Sequence, residues 1–132
     1  MPTFKLTDSL SVAAQITPQD IPQLVDKGFT TVVCNRPDNE VPGQSSMDEI
    51  EEACNAAGLL FVRYPVNAMS FPGPDLDGLA ELFDDSSQSV LAYCRTGTRC
   101  ANLWVATRAE ADLLEAVSVA RGIGFDLSMV VR

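Results

Sequence analysis

The sequence predicts an α/β domain of three layers, with a mostly parallel central sheet of about four to five strands and helices on both faces. Two observations carry this. Short apolar runs alternate along the chain with segments of helical period, an order that right-handed crossovers turn into a sandwiched parallel sheet. Capping residues and glycines fall between these segments where helices start and stop.

Phe4-Lys5-Leu6 and Leu10-Ser11-Val12-Ala13 read as two short strands. Thr17-Pro18-Gln19-Asp20 opens a helix: Thr17 suits the N-cap, Pro18 the first helical position and Asp20 the capping-box acid. Ile21, Leu24 and Val25 form its apolar face, and Gly28 stops it. Phe29 to Cys34 is a β-branched run and reads as a buried strand. Asn35 to Gln44 is a long loop with Pro37, Pro42 and Gly43. A second helix starts at the capping box Ser46-Met47-Asp48-Glu49 and ends at Gly58, with Met47, Ile50 and Cys54 on one face. Leu59 to Val62, with Tyr64, makes the next strand, and Pro65 to Pro74 the next loop. A third helix from Asp75 to Phe83, the strand Ser89–Tyr93, and helices from about Cys100 to Ala109 and from Ala111 to Ala120 complete the pattern.

Composition sets the frame for function. A chain of 132 residues forms one domain, spanning 1–132, and can bury a full core without staples. No stretch approaches the ~20 apolar residues of a membrane span. The start, Met1-Pro2-Thr3-Phe4-Lys5, lacks the basic region and apolar block of a secretory signal, so a cytoplasmic location is expected. A net charge of −9 argues against nucleic acid. Any anionic substrate must then be attracted locally. Four cysteines without a CxxC pair do not form a disulfide framework in such a chain. Histidine is absent, which removes imidazole-assisted catalysis and most metal-site patterns, and no metal or cofactor is implied.

The chemistry concentrates in Cys94-Arg95-Thr96-Gly97-Thr98-Arg99. The apolar run Val90-Leu91-Ala92-Tyr93 leads into it and a helical pattern follows. Strand, short glycine-containing loop and helix N-terminus aim backbone N–H groups and a helix dipole at one spot. A thiol there, with positive charges nearby, is expected as thiolate, activated by loop and arginine. Cys94 and Arg99 are the expected catalytic pair, Arg99 gripping an oxyanion with two parallel bonds. Arg95, Thr96, Gly97 and Thr98 are the expected anion-binding residues, and Gly97 supplies unusual backbone angles. Cys34, Asn35 and Arg36 end another strand, where ligands of such sheets bind. Arg36 is therefore a further anion-binding candidate, or else a brace for Asp38 or Glu40. Cys100 and Cys34 are candidate resolving thiols, or small packed core residues.

The loop resembles the active loop of the rhodanese sulfurtransferases. The whole chain resembles the phosphatase-like domain family found attached to beta-lactamase-like hydrolases and sulfide-oxidising enzymes. Asn35-Arg36-Pro37-Asp38, the 94–99 loop, Ala101-Asn102-Leu103-Trp104 and Gly124-Phe125-Asp126-Leu127-Ser128 carry the resemblance over nearly the full length. It implies the fold of cysteine-dependent tyrosine phosphatases.

Three departures from the phosphatase pattern bear on the reaction. Phosphatase loops place five residues between cysteine and arginine, whereas Arg99 follows Cys94 one residue early. Tyr93 stands where histidine usually precedes the cysteine, and Asn67-Ala68 where an aspartate acid is common. Asp75 and Asp77 are the substitute acids, although their positions suit helix capping. Sulfur transfer needs no general acid when the leaving group is a weakly basic thiolate or sulfite. The expected activity is therefore a sulfurtransferase in which Cys94 carries a persulfide between thiosulfate or a persulfide donor and a thiol acceptor. The alternatives are a phosphatase, acting on a phosphoester through a Cys94 thiophosphate, and a non-catalytic anion-binding or redox-sensing module.

Overall fold

The computed structural model describes residues 1–131. Its sheet has five strands: β1 (Phe4–Lys5), β2 (Leu10–Ala13), β3 (Thr31–Cys34), β4 (Leu60–Arg63) and β5 (Val90–Tyr93). They lie in the order β1-β2-β5-β3-β4. The short β1 runs antiparallel to β2, and the other four strands are parallel, in agreement with the expected sheet.

Parallel neighbours need crossovers, and the helices supply them. On one face lie α1 (Ile21–Asp26) and α2 (Met47–Ala57); on the other lie α3 (Leu76–Asp84), α4 (Thr98–Ala106) and α5 (Leu113–Ile123). Strand side chains alternate between the two cores. Val12, Val33, Val90 and Ala92 face α3–α5, while Ala13, Val32, Cys34, Leu91 and Tyr93 face α1–α2. The three inner strands are buried along their whole length, so β3 is the buried strand its β-branched run predicts. The β4 edge is different: Leu60 is 56% exposed.

Three helix starts differ from expectation. The segment expected to open a helix at Thr17 forms a short 3-10 turn, Pro18–Asp20, before α1 begins at Ile21. Pro22 has no N–H to return to the Pro18 carbonyl, so Ile21 N–H closes that turn instead. α4 begins at Thr98, two residues before the expected Cys100, because Gly97 takes φ 90° and turns the chain straight into the helix. Arg99 and Cys100 thus belong to the first turn of α4. The last helix starts at Leu113, after a 3-10 turn over Glu110–Asp112, and runs to Ile123, where Gly124 stops it at φ 115°.

Register aligns the strand ends that build the site. Ala13 pairs with Tyr93, Tyr93 with Cys34, and Cys34 with Arg63. The segments that follow β2, β3, β4 and β5 therefore emerge side by side at one edge. Among the described residues no helix is long and apolar enough to cross a membrane, and no cluster of three or more metal-binding side chains occurs.

Candidate active site

Cys94 leaves β5 at the centre of this edge, hydrogen-bonded through its own N–H to the Ala13 carbonyl at 3.3 Å. It is buried, and its Sγ accepts the Gly97 N–H at 3.1 Å. Its thiol is pulled down from the ordinary 9.0 to about 5. The leading cause is the Cys100 thiol; burial opposes it, and the amides of Cys100, Thr96 and Arg99 assist. Cys100 moves the opposite way, raised well above the ordinary thiol value by burial and then by the Cys94 charge. Cys94 is thus the thiolate of the pair and Cys100 keeps its proton. The helix-terminal loop was expected to activate the thiol; the thiol partner was not, and the arginines contribute less than expected.

Backbone geometry shapes the loop. Gly97 sits at positive φ, and a Cβ there would lie 3.2 Å from the Phe125 ring. Only glycine meets both conditions without strain. Thr96 and Thr98 bridge the rim, their hydroxyl oxygens 2.9 Å apart. Buried Asn102, one turn into α4, donates through Nδ2 to the carbonyls of Thr98 and Asp126, both at 2.8 Å. It ties the loop to the tail that carries Phe125.

Arg99 reaches across the edge. Nη1 donates to Glu40 Oε2 at 2.9 Å and to the Val66 carbonyl at 3.0 Å, and Nη2 donates to Glu40 Oε1 at 2.8 Å. This is a bidentate fork made by the end of the guanidinium. Nε makes no hydrogen bond among the described residues. Glu40 also takes Arg36 Nε at 2.9 Å. Its carboxyl is held below the usual range first by Arg99 and then by Arg36, against partial burial.

Other sequence-predicted residues fall less simply. Arg95 is exposed at the rim. Arg36 is only 3% exposed and spans Glu40 and the Gln15 side chain, the latter at 3.1 Å. Its contacts are those of a brace for Glu40, one of the two expectations, although it is buried. Cys34 packs on the α1–α2 face, its thiol donating to the Arg36 carbonyl at 3.1 Å, while Cys94 and Cys100 pack on the other face. Burial pushes the Cys34 thiol up. Asp75 caps α3, its carboxylate accepting Gly78 N–H at 3.0 Å, and exposed Asp77 lies in that helix's first turn. Neither bonds to the 94–99 loop. Asn67 closes a turn through its side-chain oxygen, which accepts the N–H groups of Met69 and Ser70. Sequence reasoning missed Glu40 as a site residue; its one signal was an acid four residues after Arg36.

The sequence and the fold have known relatives. The sequence matches the family described as "Beta-lactamase hydrolase-like protein, phosphatase-like domain" over residues 3–111. The beta-lactamase hydrolase-like protein of Agrobacterium fabrum (strain C58) is 27% identical over 135 residues, covering 100% of this chain and 31% of that protein. The chain thus spans about a third of that relative's length. A candidate phosphatase from Neisseria meningitidis Z2491 is 34% identical, with a TM-score of 0.76 over 94% of this chain and 89% of that one. PTPMT1 shares the fold at 17% identity, with a TM-score of 0.73 over 98% of this chain and 89% of its own. The five-stranded sheet, with its cysteine loop between β5 and α4, is thus the tyrosine-phosphatase-like architecture, and the chain belongs to the phosphatase-like domain family of the beta-lactamase hydrolase-like proteins.

Proposed function

We propose that the domain is a cysteine-dependent phosphatase acting on phosphomonoesters, with Cys94 as nucleophile. The observation that carries this is a buried thiolate, held at about 5 by a neighbouring thiol and converging amides, in a loop whose Arg99 makes no hydrogen bond through Nε among the described residues. The relation to a candidate phosphatase and to the phosphatase fold supports it. PTPMT1 has been solved with PI(5)P, a phosphoester on the same fold. The Cys94 sulfur attacks phosphorus, an S–P bond forms and the ester P–O bond breaks. Loop amides and the Arg99 edge hold the equatorial oxygens as charge shifts onto them. Water then attacks phosphorus, the S–P bond breaks, and phosphate leaves with the thiolate restored.

The leaving oxygen has no dedicated acid in this arrangement. Asn67 stands at the usual place, Asp75 caps a helix, and two arginines keep Glu40 ionised. Aryl esters, whose oxygens leave as stable anions, are therefore the best substrates. Steady-state hydrolysis of p-nitrophenyl phosphate, with a phosphocysteine at Cys94 trapped by acid quench, tests the proposal. A folded protein that neither hydrolyses the ester nor forms the adduct refutes it.

Sulfane-sulfur transfer is the second reading, favoured by the same lack of an acid and by the four residues between Cys94 and Arg99. It predicts that thiosulfate adds one sulfur atom to Cys94, seen by mass spectrometry, and that a thiol removes it.

A further inference from the structure

A charged side chain as deeply buried as Arg36 loses much of its hydration, at a cost its surroundings must offset. Arg36 lies on β3's exit loop, gives Nε to Glu40 and Nη1 to Gln15, and leaves Nη2 with no partner among the described residues. A neutral side chain would brace Glu40 and Gln15 without that cost. The reason for a cation at this place lies in Glu40, both of whose oxygens are on Arg99.

Left to themselves, Arg99 and Glu40 form a neutral pair beside the Cys94 thiolate, and the site carries a net negative charge. An entering phosphate or sulfate would meet its own sign, in a chain whose overall charge is already −9. Arg36 restores the balance: two guanidinium groups now oppose one carboxylate and one thiolate. Exposed Arg95 adds a screened charge at the rim. Because Arg36 and Cys94 are buried and Arg99 is half-buried, their charges count for more than at the surface.

We propose that Arg36 is a positioning residue for oxyanion binding: by sharing Glu40 with Arg99, it keeps Glu40 from neutralising the arginine that grips the anion. This rests on the reading of the 94–99 loop as an oxyanion site, but not on turnover. The experiment measures how well inorganic sulfate, at fixed ionic strength, protects Cys94 from alkylation by iodoacetamide. Arg36→Gln weakens sulfate protection about tenfold, the size expected for one partly screened charge several ångströms away. Arg36→Lys keeps most of it.

The distinguishing variant is Arg36→Gln/Glu40→Gln, which removes one charge of each sign. Balance predicts that it returns to within about threefold of the wild type; a mere brace predicts that it is no better than Arg36→Gln. Glu40→Gln alone keeps both guanidinium groups, so it binds sulfate at least as tightly as the wild type even if the Arg36→Gln chain does not fold. With p-nitrophenyl phosphate the same changes appear in KM more than in kcat. An unrescued double variant, or a weakened Glu40→Gln, overturns the proposal. Wild-type Cys94 unprotected by sulfate overturns it together with the oxyanion reading, while p-nitrophenyl phosphate hydrolysis reports on the phosphatase reading separately.

Discussion

Replacing Cys100 tests the least expected part of the site. Cys94 is held about four pH units below an ordinary thiol, which corresponds to on the order of 5 kcal/mol favouring its charged form. That stabilisation is divided among the Cys100 thiol, the largest contributor, and the amides of Cys100, Thr96 and Arg99, working against burial. Cys100→Ala deletes the leading contributor and leaves the amides in place. The thiolate population should then fall away at a pH about one to two units higher than in the wild type. Cys100→Ser keeps a hydroxyl donor at the same distance along the side chain, so it should hold the profile near that of the wild type. The assay is the pH dependence of Cys94 alkylation by iodoacetamide, with Cys94→Ser as the blank and thermal unfolding to show that each variant is folded. A Cys100→Ala profile superimposable on the wild type would show that the amides and helix terminus suffice. Equal shifts in the serine and alanine variants would show that Cys100 acts by packing and not as a donor.

Further outcomes follow from the same geometry. A native thiolate binds fewer protons than the unfolded thiol between pH 5 and pH 9, so Cys94 makes stability rise with pH across that window and lose its contribution as pH falls through about 5. Urea unfolding of Cys94→Ala should flatten that slope; an unchanged slope would place the proton on Cys94. Gly97→Ala should destabilise the fold by about 1–2 kcal/mol through its positive φ and the Phe125 ring, and should slow alkylation of Cys94; wild-type values for both would refute the strain argument. Asn102→Ala leaves the Thr98 and Asp126 carbonyls without their shared donor and should cost about 2–3 kcal/mol in urea unfolding. Treatment with a hydroperoxide should link Cys94 to Cys100: the O–O bond breaks, Cys94 takes the oxygen as sulfenic acid, and the Cys100 sulfur then displaces water. Peptide mapping that finds a Cys94–Cys34 link instead would contradict their placement on opposite faces of the sheet.

What the sequence made legible was local, and what it hid was not. The Ser46 and Glu49 capping box, the strand leading into Cys94 and the glycine loop are each written in a few adjacent residues, and each forms as expected. The Arg99–Glu40 fork joins residues far apart in the chain and exists because β3 and β5 pair in register, with Cys34 opposite Tyr93. No pattern in the sequence specifies that register, so Glu40 could be read only as a neighbour of Arg36. The same limit governed the expected chemistry. Four residues stand between Cys94 and Arg99, one fewer than in phosphatase loops. In the folded chain that count describes where α4 begins: Gly97 caps the helix, Arg99 enters its first turn, and the guanidinium extends to Val66 and Glu40. Its reach is then set by the side chain and by what anchors it across the sheet edge, not by the number of loop residues. Residue spacing is therefore a weak measure of what the loop can hold. On the proposed reading, the charge balance among Arg36, Glu40, Arg99 and Cys94 is the stronger one, since it sets how tightly an oxyanion is held.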